Sequence, residues 1–101
     1  MGAGVNVLDY ATLAVSVAAV SLGADASPTL PAKCNRIYIT CETQPVRWRA
    51  DGTDPTSTTG HILAKDDSIS FTGANYRQLL EKIRFIATAA GDGALKLTYF
   101  D

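Results

Sequence analysis

A chain of 101 residues holds one domain, and a domain this size buries roughly 60 to 70% of the surface its unfolded chain exposes, enough for one sandwich or small-barrel core. Hydrophobic residues make up 47% and the formal charge is -1, which removes any whole-protein electrostatic case for nucleic acid or an anionic membrane. Charge is unevenly placed: only Asp9 and Asp25 precede Lys33, Lys33 to Arg49 is net basic, Asp51 to Asp67 is net acidic, and Arg77 to Arg84 is basic again. That pattern fits complementary docking between subunits, and equally fits ordinary solvated faces.

The first residues, with Gly2, Gly4 and no charge before Asp9, are expected to form an N-terminal arm over residues 1–10, ordered by a neighbouring subunit, ahead of a single β-sandwich domain over residues 11–101. Ala11 to Ala24 is the most apolar run, and Ala24-Asp25-Ala26 mimics a signal cleavage site. No Lys or Arg precedes Lys33, and Thr12, Ser16 and Ser21 interrupt a run shorter than the roughly 20 residues a membrane span needs, so neither a leader nor a span is expected. Within it, Leu13, Val15, Val17 and Ala19 alternate, which favours a strand over Leu8 to Val20 against the helix its alanines would allow.

After Ser27-Pro28 and Leu30-Pro31, Lys33 to Glu42 reads as a strand with Ile37, Ile39 and Cys41 on one face. Cys34 and Cys41 are the only cysteines. Seven strand steps separate them by roughly 23 Å, far beyond disulfide reach, and their opposite parity points them to opposite faces. Each is expected as a small buried hydrophobe, with an intersubunit disulfide as the alternative.

The most informative stretch is Gln44-Pro45-Val46-Arg47-Trp48-Arg49-Ala50-Asp51-Gly52-Thr53-Asp54-Pro55-Thr56-Ser57-Thr58-Thr59-Gly60. Period-two alternation puts Val46 and Trp48 on a core face and Arg47 and Arg49, about 7 Å apart, on the other. Asp51-Gly52 and Asp54-Pro55 carry turn chemistry, and Thr56 to Gly60 is too rich in hydroxyls to be buried unpaired. Arg47, Arg49, Asp51, Thr53, Asp54 and Thr56 are therefore the candidate partner-docking residues, since guanidiniums at this spacing can engage two carboxylates of a partner. The competing reading pairs both arginines with Asp66, Asp67 or Glu42 of the same sheet.

Beyond Gly60 the chain reads as a strand His61 to Ala64, an acidic turn at Asp66-Asp67, a strand with Ile69 and Phe71, and a short helical turn over 75–81 capped by Asn75 and carrying Tyr76, Leu79 and Leu80. A hairpin then joins Lys82–Thr88 to Ala94–Phe100 through Gly91-Asp92-Gly93. The class is all-β, an antiparallel β-sandwich or jelly-roll-like barrel of 7 to 8 short strands. Shared parity nominates Val46, Trp48, Ile37, Ile39, Ile69, Phe71, Ile83, Phe85, Leu95 and Leu97 as its core.

Catalytic chemistry finds little to build on. His61 is the only histidine, no nucleophile accompanies it in a recognisable motif, and no CxxC or HxxxH pair exists, so no catalytic residue, cofactor or metal site is assigned. His61 is expected on the surface. Asp51, Asp54, Asp66 and Asp67 would hold Ca²⁺ only if their loops converged, and they lack the spacing of a known calcium loop. Trp48 and Tyr76 offer aromatic faces to a sugar ring, yet Trp48 shares its face with Val46 and reads as core.

The chain resembles small structural proteins of about a hundred residues encoded among the virion genes of tailed bacteriophages. The resemblance spans nearly the whole chain and rests on the alternating N-terminal strand, Cys41-Glu42-Thr43, the Gln44 to Thr56 run, Gly60, Asp66-Asp67, Phe71-Thr72-Gly73, Ile83-Arg84-Phe85-Ile86-Ala87 and Leu95-Lys96-Leu97-Thr98-Tyr99. It implies a non-enzymatic β-sandwich of the virion, assembled in the bacterial cytoplasm. The expected role is capsid decoration or cement docking on the major capsid protein, with copies of itself as further partners and no nucleic acid, membrane or small-molecule substrate. A tail, connector or fibre-base position is the alternative within that class, and a small carbohydrate-binding module is the rival outside it. An exposed Trp48 beside a cleft would support that rival, and a buried one would remove it.

Overall fold

The computed structural model describes residues 6–71 and 77–101. In chain order it contains β1 (Val7–Val15), β2 (Val20–Ser21), β3 (Arg36–Glu42), β4 (Val46–Arg49), β5 (His61–Leu63), β6 (Ser68–Phe71), α1 (Arg77–Lys82), β7 (Arg84–Ala87) and β8 (Gly93–Phe100). Two four-stranded antiparallel sheets have the orders β1-β8-β3-β6 and β2-β7-β4-β5. The hydrogen-bonded partners β1 with β8, β2 with β7, β3 with β6 and β4 with β5 describe one long hairpin folded over on itself. That is the connectivity of a jelly roll, and it bears out the all-β sandwich.

The core lies between the sheets and follows strand parity. Ala11, Leu13 and Val15 of β1, Ile37, Ile39 and Cys41 of β3, Phe85 and Ala87 of β7, and Leu95, Leu97 and Tyr99 of β8 are all buried. Val46, Phe71 and Ile83 join them, as expected. Trp48 and Ile69 do not. Both are only partly buried and pack against the cluster from its margin, because Trp48 lies beside the exposed His61 of edge strand β5 and β6 is itself an edge strand.

Several boundaries differ from the sequence reading, each for a local reason. β1 stops at Val15 because the Ser16 hydroxyl bonds the N–H and the C=O of Ala18 at 3.2 Å, bending the chain. Val17 consequently points outward at 65% exposure, although its parity placed it inside. At its other end β1 already pairs with β8 at Val7, so residues 7–10 belong to the sheet, with a bulge between Val7 and Asp9; residues 1–5 of the expected arm lie outside the described residues. β3 begins only at Arg36, which leaves Cys34 in the preceding loop where strand parity does not apply. Both thiols are buried and free, so neither offers a surface sulfur for an intersubunit bridge, and desolvation pushes both pKa values up.

The expected terminal hairpin is the largest correction. β7 and β8 follow one another in the chain but lie in opposite sheets, β7 between β2 and β4, β8 between β1 and β3. Alternation fixed which residues face inward without fixing which sheet holds them. The connection is held by Gln44, which accepts the Ala89 N–H at 3.1 Å and donates to the Gly91 carbonyl at 2.7 Å. The helical turn forms as α1, with Leu80 buried; its expected Asn75 cap and Tyr76 lie outside the described residues. Arg77 ties α1 to the carbonyls of Pro31 at 2.5 Å and Cys34 at 3.0 Å.

Burial differences predict an order of cost. Phe85→Ala should destabilise by about 3–5 kcal/mol and the half-buried Trp48→Ala by less, measured by urea unfolding; equal losses would contradict the margin position of Trp48. Tyr99 adds a pH effect. Burial, with smaller contributions from Cys34 and Asp9, raises its hydroxyl to about 12, while the hydroxyl donates to Pro28 O at 3.2 Å. A raised pKa contributes stability that is intact below the unfolded value of about 10 and lost as pH rises toward the folded one. Wild type should therefore lose stability between about pH 10 and 12, and Tyr99→Phe should lose markedly less there.

Candidate functional site

The Asp51 to Gly60 segment, read from sequence as an exposed loop, folds back over the outer face of the second sheet. Arg47 is the post that holds it: its Nε donates to Ser57 O at 3.1 Å and its Nη1 to Gly60 O at 2.8 Å. Pro55 is buried beneath the loop. A Cβ on Gly60 would stand 3.1 Å from Trp48 O, 3.2 Å from the Pro55 Cβ and 3.3 Å from the Arg47 Cβ, and its φ of 130° is open only to glycine. At the tip, Thr56 Oγ1 accepts the N–H groups of Thr58 at 3.3 Å and Thr59 at 2.9 Å. The loop is polar outside and anchored underneath.

Arg49 is committed to a different partner. It forms a two-pronged pair with Asp51, Nε to Oδ1 at 3.1 Å and Nη2 to Oδ2 at 2.5 Å, while Asp51 also accepts the Thr53 N–H. The register explains the need for it: Arg49 lies directly opposite Arg84 across β4 and β7, a like-charge pair that costs stability unless screened. Asp51 answers Arg49, and Asp54 stands 4.0 Å from Arg84. The turn thus carries one carboxylate for each arginine. Within the chain the expected pairing with Asp66, Asp67 or Glu42 is not made: Asp66 pairs with Lys65, and both arginines bond groups of their own hairpin loop. Among the described residues no three His, Cys, Asp or Glu side chains converge to hold a metal.

Trp48 marks the second feature. Its ring lies 4.7 Å from the His61 ring, tilted by 36°, and 5.4 Å from Phe71 in an edge-on contact. The three rings close the side of the sandwich between β5 and β6. Outside them an open cleft of about 530 Å³ is lined by Trp48, Arg49, Ala50, Asp51, Thr59, Gly60 and His61. No family model, curated protein or solved structure matches this chain.

A third surface went unnoticed in the sequence. On the outer face of the first sheet, the register places Tyr10, Thr98, Tyr38 and Ser70 in one row across four strands, with Tyr10 and Tyr38 at 54% and 44% exposure. Alternation marked these positions as outward, but only the pairing brings residues so distant in the chain side by side.

Two outcomes test the loop anatomy. Arg47→Met keeps the stem but removes both carbonyl bonds, so it should cost about 1–3 kcal/mol and speed amide exchange across 56–60; unchanged exchange would show that Arg47 does not hold the loop. The Asp51 carboxyl is held below the usual carboxylate range, first by its hydrogen bonds from Arg49 and then by the Thr53 N–H. Its contribution is intact above about pH 4 and lost as pH falls through that lower folded value. Carboxyl NMR should place its midpoint below that of an ordinary aspartate, and Arg49→Ala should raise it toward the normal range.

Proposed function

We propose that the chain is a non-enzymatic structural component of a tailed-phage virion, a capsid decoration or cement protein that docks on the major capsid protein through the Asp51 to Thr59 loop. The observation that carries this reading is the anchoring of that loop. Arg47, buried Pro55 and the Thr56 turn fix an exposed hydroxyl-rich protrusion before any partner arrives, so little ordering entropy is lost on contact. Thr53, Asp54 and Thr56 lie on its exposed side, while Arg47 and Arg49 act from beneath as positioning residues. Jelly rolls recur among viral capsid domains, an analogy of fold that adds to the reading without carrying it. Many copies on a lattice would make a small contact sufficient.

A second reading stays open on a specific observation: Trp48 is half-buried beside a cleft that also offers Arg49, Asp51 and Thr59, a mixture of aromatic and polar groups that suits a saccharide. His61 already covers part of the indole, which limits the face available for stacking.

Particles lacking the protein separate these readings. Thr53→Arg with Thr58→Arg should keep the melting temperature of wild type and lose binding to such particles, while Tyr38→Lys on the opposite sheet should bind normally. Normal binding by the folded loop double variant would overturn docking through the loop. Trp48 is the only tryptophan, so its fluorescence reports directly on the cleft. The virion reading expects no change on titration with mono- and oligosaccharides, and a saturable change would favour the sugar-binding module.

A further inference from the structure

The outer face of the first sheet carries an apolar patch framed by cations. Among the described residues five large apolar side chains stand exposed, and three of them, Val7, Tyr10 and Tyr38, lie on this face. The register sets Tyr10, Thr98 and Tyr38 in one row across β1, β8 and β3, so the two tyrosines are two strand spacings apart, about 10 Å. On one side of that row Phe100 stands between Val7 and Arg36. On the other side Lys96 stands between Thr12 and Thr40. Single exposed apolar side chains are ordinary, but a contiguous patch of them marks a binding surface.

Charge narrows the ligand. Glu42, at the far end of β3, is the only carboxylate at an outward position of these strands, and the Asp9 carboxylate at the bulge is taken up by the Tyr10 N–H at 2.8 Å. Arg36 and Lys96 form no ion pair among the described residues, and Arg36 Nε is enclosed with no hydrogen-bond partner. An enclosed donor is costly to leave unpaired, and an acceptor brought by a ligand would relieve it. The two cations flank the row on opposite sides and from different strands. Arg36 is two residues from Tyr38 along β3 and Lys96 two residues from Thr98 along β8, each about 7 Å from its neighbour in the row.

That stagger matches one kind of polymer. In an extended glycan linked as in cellulose, each ring is turned over relative to the last. Like faces therefore recur at every second sugar, a repeat close to the Tyr10 to Tyr38 distance, and the substituents of successive sugars project to alternate sides. A uronate chain laid along the row would rest two like-facing rings on Tyr10 and Tyr38. The carboxylate of the ring over Tyr38 would meet Arg36, and that of the ring over Thr98, turned the other way, would meet Lys96. A single-stranded nucleic acid carries its phosphates along one backbone track and does not reproduce this alternation.

We infer that the outer face of the first sheet binds an extended acidic glycan, a uronate chain with the linkage of cellulose, along the row from Tyr10 through Thr98 to Tyr38. The site is separate from the Trp48 cleft and lies on the side of the molecule away from the Asp51 to Thr59 loop, so a copy docked through that loop would leave it uncovered. It does not depend on docking, and its failure would leave the virion reading untouched.

The test is titration of the full chain with a glucuronate hexamer of that linkage, with cellohexaose and with a deoxythymidine hexamer, each followed by NMR. The glucuronate hexamer should bind saturably, shift the resonances of Tyr10, Thr98 and Tyr38, and leave the Trp48 indole unmoved. Cellohexaose, which lacks the carboxylates, should bind about tenfold more weakly or less. Tyr38→Ala and Lys96→Gln should each keep the wild-type melting temperature and weaken glucuronate binding about tenfold. No saturable binding of glucuronate by wild type would overturn the inference. So would shifts confined to the Trp48 cleft, cellohexaose or the deoxythymidine hexamer binding as tightly as glucuronate, or either folded variant binding as wild type does. The shifts map the site on wild type, so a variant that fails to fold does not remove the test.

Discussion

The inward alternation of β8 is the constraint on which the fold depends. Gly93, Leu95, Leu97 and Tyr99 are buried, and this strand pairs on one side with β1 and on the other with β3. A slip by one residue on either side would turn Lys96 and Thr98 into the core and expose three large apolar side chains, so both neighbours are locked in register. Gly93 extends the constraint to the other sheet. A Cβ there would stand 3.0 Å from Val46 Cγ1, so the position works because it has no side chain and lets the sheets approach at the start of β8. With Val46 fixed, β4 is fixed, and with it the hairpin that carries the loop.

From β4 outward the polar architecture follows. Arg47 and Arg49 are two residues apart on one face, yet they play different parts because their partners differ. Arg47 donates to two backbone carbonyls, whose acceptor strength does not change with pH, whereas Arg49 holds a carboxylate that protonates. The base of the loop is therefore insensitive to acid and its Asp51 turn is sensitive. Asp51 and Asp54 also relieve the repulsion that the register imposes by placing Arg49 opposite Arg84. The acidic turn thus supplies an internal counter-charge to a basic sheet face.

Fold class, most strands and most of the core were legible from the chain because period-two burial is a local property of sequence. Leu13, Val15, Ile37, Ile39, Phe85, Leu95 and Leu97 all lie where parity puts them. What was not legible depends on pairing or on single hydrogen bonds. Nothing in the local pattern of β7 and β8 distinguishes a hairpin from a crossing between sheets, since both bury alternate residues. Val17 kept the right parity but lost its strand to the Ser16 bend, and Trp48 sat on the core face but next to the exposed edge strand β5. For the docking candidates, Arg47 and Arg49 were found by their placement. Their partners were missed because Ser57 O and Gly60 O are backbone atoms that no side-chain inventory contains.

The two open sides of the sandwich are closed by unlike means. Between β5 and β6 the closure is aromatic, with Trp48 held by Phe71 and covered by His61. On the side of β1 and β2 the chain itself closes the gap: Leu22 and Ala26 are buried there, and Ser27 exchanges two backbone hydrogen bonds with Thr12 at 3.0 Å along the edge of β1. That bridge occupies Thr12 just where the longest edge strand would otherwise offer backbone groups for pairing with another chain. Strand addition at this point of β1 is thereby blocked. The faces of the two sheets carry the Tyr10 to Ser70 row and the anchored loop, on opposite sides of the molecule.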